Sequence, residues 1–107
     1  MLSEFRSKHL VDDDGNPAGG TSQATGIIIV WQDGPLGRGE DRIPPNGAFV
    51  ETGLAMIKDR IEWYNSGKFA CAENADAIYH IEKAMAALNS RTKRREEAGT
   101  EGLHKGS

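Results

Sequence analysis

The sequence contains one cysteine, Cys71, among its 107 residues. A single thiol cannot form a disulfide within the chain, which excludes the disulfide framework of small secreted domains. Long apolar runs are also missing, because none is longer than that from Ile27 to Trp31, far short of the roughly 20 residues that cross a bilayer. The first ten residues are partly charged and lack the apolar segment of a signal peptide. These absences lead us to expect a cytoplasmic protein that does not associate with membranes.

Motifs for catalysis, cofactors and metals are absent as well. The sequence has no G-x-G-x-x-G, Walker, H-E-x-x-H or C-x-x-C pattern, and its three histidines are widely spaced. A pair of Cys71 as nucleophile and His80 as base fails on geometry, because residues nine apart point in opposite directions around a helix. We therefore expect a protein that is not an enzyme, with no catalytic residue, no cofactor and no metal ligand.

Charge and apolar content restrict the partners further. The chain has 13 basic and 16 acidic residues, so bulk electrostatic attraction does not favour nucleic acid as a partner. Apolar residues make up only 37% of the sequence. A domain of this size buries only about two thirds of its unfolded surface. We expect one domain, residues 1–107, that shares its core between the subunits of a homo-oligomer.

The N-terminal part, residues 1–45, combines strand signals with turns and holds all four prolines. Residues 4–11 are a candidate strand, and the acidic, Gly- and Pro-containing stretch that follows predicts a turn. Residues 19–26 are small and polar and are expected to form a flexible loop. Ile27–Trp31 is the clearest strand, and its continuous apolarity predicts that both of its faces are covered. The pattern indicates an antiparallel β-hairpin with a long loop, followed by a Gly- and Pro-rich loop over residues 33–45.

Residues 46–98 are predicted to form an antiparallel hairpin of two helices, followed by a tail over residues 99–107. Asn46 is expected to cap a first helix from about Gly47 to Asn65, and a second helix runs from about Cys71 to Ala98. The first helix has one apolar stripe at Val50, Leu54, Ile57, Ile61 and Tyr64, and a second at Phe49, Met56 and Trp63. The stripe on the second helix is Ile78, Ile81, Met85 and Leu88. Two stripes on one helix predict two packing surfaces, one for the second helix and one for the sheet or another subunit. The fold class is α+β.

Several polar residues in this arrangement have the chemistry of a binding site. Arg38 and Arg42 lie on the Gly-rich loop, and a basic cluster from Arg91 to Arg95 ends the second helix; guanidinium groups bind phosphate through two donors. Tyr64 can stack on a base, and Asn74 can read the edge of a base. Each residue also has a structural alternative. The basic cluster favours the helix dipole, Tyr64 suits a core, and Asn74 suits a satisfied amide at a helix end.

Four sequence segments, taken together, resemble a known protein family. The segments are Trp31-Gln32-Asp33-Gly34-Pro35-Leu36-Gly37, Pro45-Asn46-Gly47-Ala48-Phe49-Val50-Glu51, Lys68-Phe69-Ala70-Cys71-Ala72-Glu73-Asn74-Ala75, and Arg91-Thr92-Lys93-Arg94-Arg95-Glu96 with Gly99-Thr100-Glu101-Gly102. The chain resembles the phage anti-Thoeris sponge family, which shares its helical hairpin with the phage anti-CBASS sponge proteins. The resemblance covers residues 11–104. The strand and Gly-Pro loop before the helices point to the anti-Thoeris branch, because the anti-CBASS branch is mostly helical.

The resemblance implies a phage counter-defence protein that acts in the cytoplasm of the infected bacterial host. Such proteins bind and sequester cyclic nucleotide immune messengers without degrading them. Their ligands include glyco-cyclic ADP-ribose isomers and, at separate sites, cyclic di- or trinucleotides, and they assemble as homodimers or homohexamers. Three alternatives stay open from the residues alone: a phage structural or assembly protein with no small ligand, a hydrolase that degrades the messenger, and a nucleic-acid binder.

The resemblance also implies roles for individual residues. Tyr64, Asn74 and Arg91, together with Arg38 or Arg42, match the cyclic ADP-ribose site of the family. A second site for cyclic oligonucleotides at subunit junctions is matched by Arg95, Gly99, Thr100 and His104. Slow release of the ligand is expected if the loop over residues 33–45, whose glycines allow movement, closes over it.

Overall fold

The computed structural model describes residues 1–97, which form two compact units, residues 1–49 and residues 50–97. Along the chain the elements are β1 (Phe5–Val11), β2 (Pro17–Ala24), β3 (Ile27–Asp33), a 3-10 turn (Gly39–Asp41), α1 (Val50–Asn65) and α2 (Ala72–Glu97). An antiparallel sheet followed by two helices confirms the α+β fold class. The single-domain assignment stays a prediction.

The sheet has three antiparallel strands in the order β1-β2-β3. Its middle strand covers most of the segment for which a flexible loop was predicted, so that prediction is wrong. β2 has low intrinsic strand propensity, but it pairs with a neighbour on each side, and strand pairing outweighs propensity. Gly20, with a φ of 135°, fits because a side chain at this position would collide with the Lys8 carbonyl across the ladder.

The turn between β1 and β2 lies where the sequence predicts it. The Asp12 carboxylate accepts hydrogen bonds from the backbone N–H groups of Asp14 and Asn16, both at 2.9 Å. Gly15 adopts a φ of 80°, which glycine reaches without steric cost. A side chain that binds its own backbone in this way stabilises the reversal of the chain.

The two faces of β3 differ in exposure. Ile28 and Val30 share one face with the Arg6 and Lys8 side of β1, and Ile28 is 72% exposed. On the other face Trp31 is half-buried, and its Nε1 donates to Ser22 Oγ at 2.9 Å. The prediction that both faces of this strand are covered is therefore wrong for the single chain.

The first helix begins at Val50, three residues later than predicted. Ala48 instead pairs with β3 in a parallel bridge to Trp31, and its N–H donates to the Val30 carbonyl at 2.7 Å. Asn46 does not cap the helix, because its side-chain oxygen accepts from the Asp33 N–H at 2.8 Å. The capping prediction is wrong because the Asn46 side chain binds the backbone of Asp33 instead of the first turn of the helix.

The second unit is the predicted antiparallel helical hairpin. The half-buried face of α2 contains every residue of its predicted apolar stripe and the polar extensions of that stripe: Asn74, Ile78, Ile81, Met85, Leu88, Thr92 and Arg95. On α1 only Leu54 and Ile61 of the first predicted stripe are half-buried. Val50, Ile57 and Tyr64 are exposed, so the prediction of one continuous packed stripe is wrong for the single chain. Lys58 Nζ lies 3.7 Å from Glu82 Oε2, so these two positions are neighbours across the hairpin.

Much apolar surface of α1 stays exposed. Met56 is 68% and Trp63 is 62% exposed, and both belong to the second predicted stripe. Among residues 1–97 no side chain is fully buried. Within the same residues, neither helix combines the length and the apolarity that a bilayer span requires.

Candidate ligand-binding site

An aromatic and guanidinium cluster lies at the end of α1. The Trp63 and Tyr64 rings have centroids 5.5 Å apart and are tilted by 59°. Arg60 Cζ lies 4.6 Å from the Trp63 centroid and 4.8 Å from the Tyr64 centroid, and all three residues are exposed. Residues three and four apart are neighbours on a helix surface, which explains the cluster. The sequence analysis did not identify Arg60 as a candidate site residue, although its position three and four residues before the two aromatics predicts that the side chains are neighbours on the helix.

Asn74 lies where the hairpin turns from α1 into α2. Its Nδ2 donates to the Phe69 carbonyl at 3.1 Å, and the Asn65 Oδ1 accepts from the Cys71 N–H at 3.1 Å. Two amides therefore brace the turn. An amide has a second N–H and an acceptor oxygen, so Asn74 combines the structural role with groups that can read a base edge. The contact between Lys58 and Glu82 places Tyr64 towards the same end of the hairpin.

Arg91 and Arg95 lie at the opposite end of α2. Lys58 contacts Glu82 in this antiparallel pair, so the start of α1 at Val50 lies towards the same end of the hairpin as Arg91 and Arg95. Arg91 is exposed and Arg95 is half-buried. The 17 residues from Asn74 to Arg91 correspond to about 26 Å along the helix axis. A single chain does not bring Tyr64 and Asn74 together with Arg91.

Arg38 and Arg42 flank the 3-10 turn of the loop after β3. The Asp41 N–H donates to the Arg38 carbonyl at 3.1 Å, and the Arg42 N–H donates to the Gly39 carbonyl at 3.3 Å. Both side chains are exposed. The turn thus places two exposed arginines on one loop in the N-terminal unit. Three further predicted residues, Gly99, Thr100 and His104, lie outside the described residues.

The placed residues supply stacking and anion-binding chemistry. A ring with a guanidinium beside it can stack on a base while the cation contacts a phosphate. Arginine pairs bind phosphate oxygens through charge-assisted hydrogen bonds. In residues 1–97, no group of three or more His, Cys, Asp or Glu side chains is arranged to hold a metal ion.

The sequence is similar to proteins of known families. A segment of 59 residues is 42% identical to the protein named Thoeris anti-defense 1 of Bacillus phage SBSphiJ7, and it covers 55% of this chain. The segment covers 42% of that relative, so the similarity spans less than half of its length. The family model described as "Acb2/Tad1, hairpin domain" matches residues 23–93. This range includes β3, the arginine-bearing loop, α1 and most of α2. Because the match covers more than half of the sequence, the chain belongs to the Acb2/Tad1 hairpin-domain family.

Proposed function

We propose that this chain is a phage anti-defence protein that binds and sequesters cyclic nucleotide messengers of a bacterial immune system without degrading them. The family match over residues 23–93 carries the proposal, and the similarity to a protein named Thoeris anti-defense 1 supports it. The ligands are glyco-cyclic ADP-ribose isomers and, at a separate site, cyclic di- or trinucleotides. The protein acts in the cytoplasm of the infected host, where the messengers are made.

The proposed main site uses four kinds of contact. Tyr64 stacks on a base of the messenger, and Asn74 hydrogen-bonds to an edge of that base. Arg91, with Arg38 or Arg42 from the loop, binds the phosphates. Arg60, whose Cζ lies 4.8 Å from the Tyr64 ring centroid, adds a cation beside the stacking residue. No nucleophile or general base is required, because the ligand leaves unchanged.

The length of α2 supports a main site that is built from two copies of the chain. Asn74 and Arg91 are about 26 Å apart along one helix, which is longer than a small cyclic nucleotide. In an oligomer, Arg91 of one copy can lie close to Tyr64 and Asn74 of another copy, so that one ligand contacts all three residues. The exposed Met56 and Trp63 support such an assembly, since burying a side chain of this kind contributes about 1.5–3 kcal/mol. A homodimer or a homohexamer satisfies the requirement.

The proposed second site takes a cyclic oligonucleotide at a junction between subunits. It uses Arg95 with Gly99, Thr100 and His104. This second site is supported by the resemblance of residues 99–104, which follow the basic cluster, to the corresponding segment of the sponge family. A binding experiment that measures cyclic oligonucleotides in the presence of saturating cyclic ADP-ribose isomer tests whether this site is separate, because competition between the two ligands would refute it.

A ligand panel with product analysis tests the main proposal. Thermal unfolding and calorimetry are measured with cyclic ADP-ribose isomers and cyclic oligonucleotides, and a ligand at 100 times its Kd adds about 2.7 kcal/mol to the free energy of unfolding. The protein is then heat-denatured, and the released ligand is identified by mass spectrometry. Intact ligand is expected. A degraded product would support the hydrolase instead, and no shift with any messenger would refute the proposal.

The exposed stripe of α1 favours one second candidate, a phage structural or assembly protein. Met56 and Trp63 are as well suited to a purely architectural interface as to a messenger-binding oligomer. This candidate predicts a stable oligomer whose unfolding temperature is the same with and without every messenger of the panel. The same experiment therefore separates the two functions.

A further inference from the structure

Two side chains close the base of the loop that carries the arginines, here called the arginine loop, residues 34–45. Gln32, at the end of β3, lies before the loop. Its Oε1 accepts from the backbone N–H of Asn46 at 2.9 Å and from that of Gly47 at 3.2 Å. Its Nε2 donates to the Gly34 carbonyl at 3.2 Å. One glutamine side chain thus binds the backbone at both ends of the loop.

Asn46, which follows the loop, binds the backbone of Asp33, which precedes the loop. Its Oδ1 accepts from the Asp33 N–H at 2.8 Å, and its Nδ2 donates to the Asp33 carbonyl at 3.1 Å. The chain then continues into Ala48, whose carbonyl accepts from the Gln32 N–H at 3.0 Å. Each of the two amide side chains therefore forms hydrogen bonds with backbone groups at the opposite end of the loop.

The interior of the loop is closed as well. The Ile43 N–H donates to the Leu36 carbonyl at 2.7 Å and brings the two limbs together below the 3-10 turn. A side chain at Gly37 would lie 2.7 Å from the Asp41 carbonyl oxygen, so the limbs approach too closely for any residue with a Cβ. Gly37 therefore allows the two limbs of the loop to approach each other closely.

We infer that Gln32 and Asn46 form a clamp that holds the arginine loop closed and presents Arg38 and Arg42 on a preformed turn. Gln32 and Asn46 are positioning residues, and their effect on ligand rests on the proposed function. A preformed loop lowers the ordering cost of binding, and a turn that cannot swing away slows dissociation.

The clamp itself is tested without any ligand. Gln32→Ala removes four side-chain hydrogen bonds, whereas Gln32→Glu keeps the oxygen that accepts from Asn46 and Gly47 and loses the donor to the Asp33 and Gly34 carbonyls. Gln23→Ala, an exposed glutamine on β2, is the matched control. Trypsin cleavage after Arg38 and Arg42 is followed by mass spectrometry, together with hydrogen exchange of the Asp33, Asn46 and Gly47 amides.

We expect Gln32→Ala to be cleaved in the loop about tenfold faster than wild type, with faster exchange of those three amides. Gln32→Glu should restore only the part of the protection that comes from the Asn46 and Gly47 N–H groups, because a carboxylate cannot donate to the Gly34 carbonyl, and Gln23→Ala should behave like wild type. Cleavage and exchange in Gln32→Ala equal to those in Gln23→Ala would refute the clamp. If Gln32→Ala fails to fold, the comparison is made with Asn46→Asp, which keeps the acceptor for the Asp33 N–H and loses the donor.

The positioning role is tested next by the kinetics of glyco-cyclic ADP-ribose binding. We expect Gln32→Ala to raise the dissociation rate about tenfold, and Gln32→Glu to give a rate between those of Gln32→Ala and wild type. An opened loop with an unchanged dissociation rate would refute the positioning role. A wild-type protein that shows the protease protection but binds no messenger would refute the proposed function and leave the clamp standing, so the two failures are distinguishable.

Discussion

A mixed dimer provides the sharpest test of a site shared between two copies. One subunit carries Asn74→Ala and the other carries Arg91→Ala. If each site combines Asn74 from one copy with Arg91 from the other, the mixed dimer has one site with both residues intact and one site that lacks both. If each site lies within one chain, both sites of the mixed dimer lack one residue.

The size of the effect follows from the contacts that are lost. Arg91→Ala removes a charge-assisted hydrogen bond worth about 1.5–3 kcal/mol, which corresponds to an affinity roughly 10- to 150-fold weaker. Each homodimer of a single variant is therefore expected to lose tight binding. The mixed dimer is expected to recover wild-type affinity with half of the wild-type stoichiometry.

The assay uses two differently tagged chains that are expressed together and purified on both tags in sequence. Calorimetry with glyco-cyclic ADP-ribose then measures both the Kd and the number of tight sites per dimer. Wild type carrying both tags is the control. A mixed dimer with no tight site would refute the shared site and with it the argument from the length of α2.

Three further variants test separate parts of the reasoning. Arg60→Ala is expected to weaken messenger binding about tenfold by calorimetry while Arg60→Lys recovers part of the loss, and wild-type affinity in Arg60→Ala would remove this residue from the site. Met56→Glu places a charge on the exposed stripe of α1, so light scattering after size exclusion should show a smaller assembly, whereas Asp59→Ala on an exposed position of the same helix should not change the mass. Gly20→Ala should lower the Tm measured by circular dichroism more than Gly26→Ala does, because only the first glycine faces a carbonyl of the neighbouring strand; equal shifts would contradict the close approach in the sheet.

Local patterns predicted the helical hairpin well. The half-buried face of α2 contains all of the predicted stripe from Ile78 to Leu88 and its polar extensions at Asn74 and Arg95. Helix periodicity is set by hydrogen bonds between residues four apart, so a pattern a few turns long is enough to identify the face. The placement of Asn74 and Arg91 at opposite ends follows from the same local geometry.

Residues whose partners are distant in sequence were not predictable in this way. β2 has a sequence typical of a flexible loop, yet it is a strand because β1 and β3 supply hydrogen bonds on both of its edges. Asn46 has the local signature of a helix cap, yet its side chain binds Asp33, thirteen residues earlier. Gln32 carries no local signal of its role. Sequence alone determined where the helices lie and which chemistry they carry, because those depend on neighbours along the chain. Tertiary structure decided the middle strand and the closed arginine loop, because backbone groups there are satisfied only by partners that folding brings together.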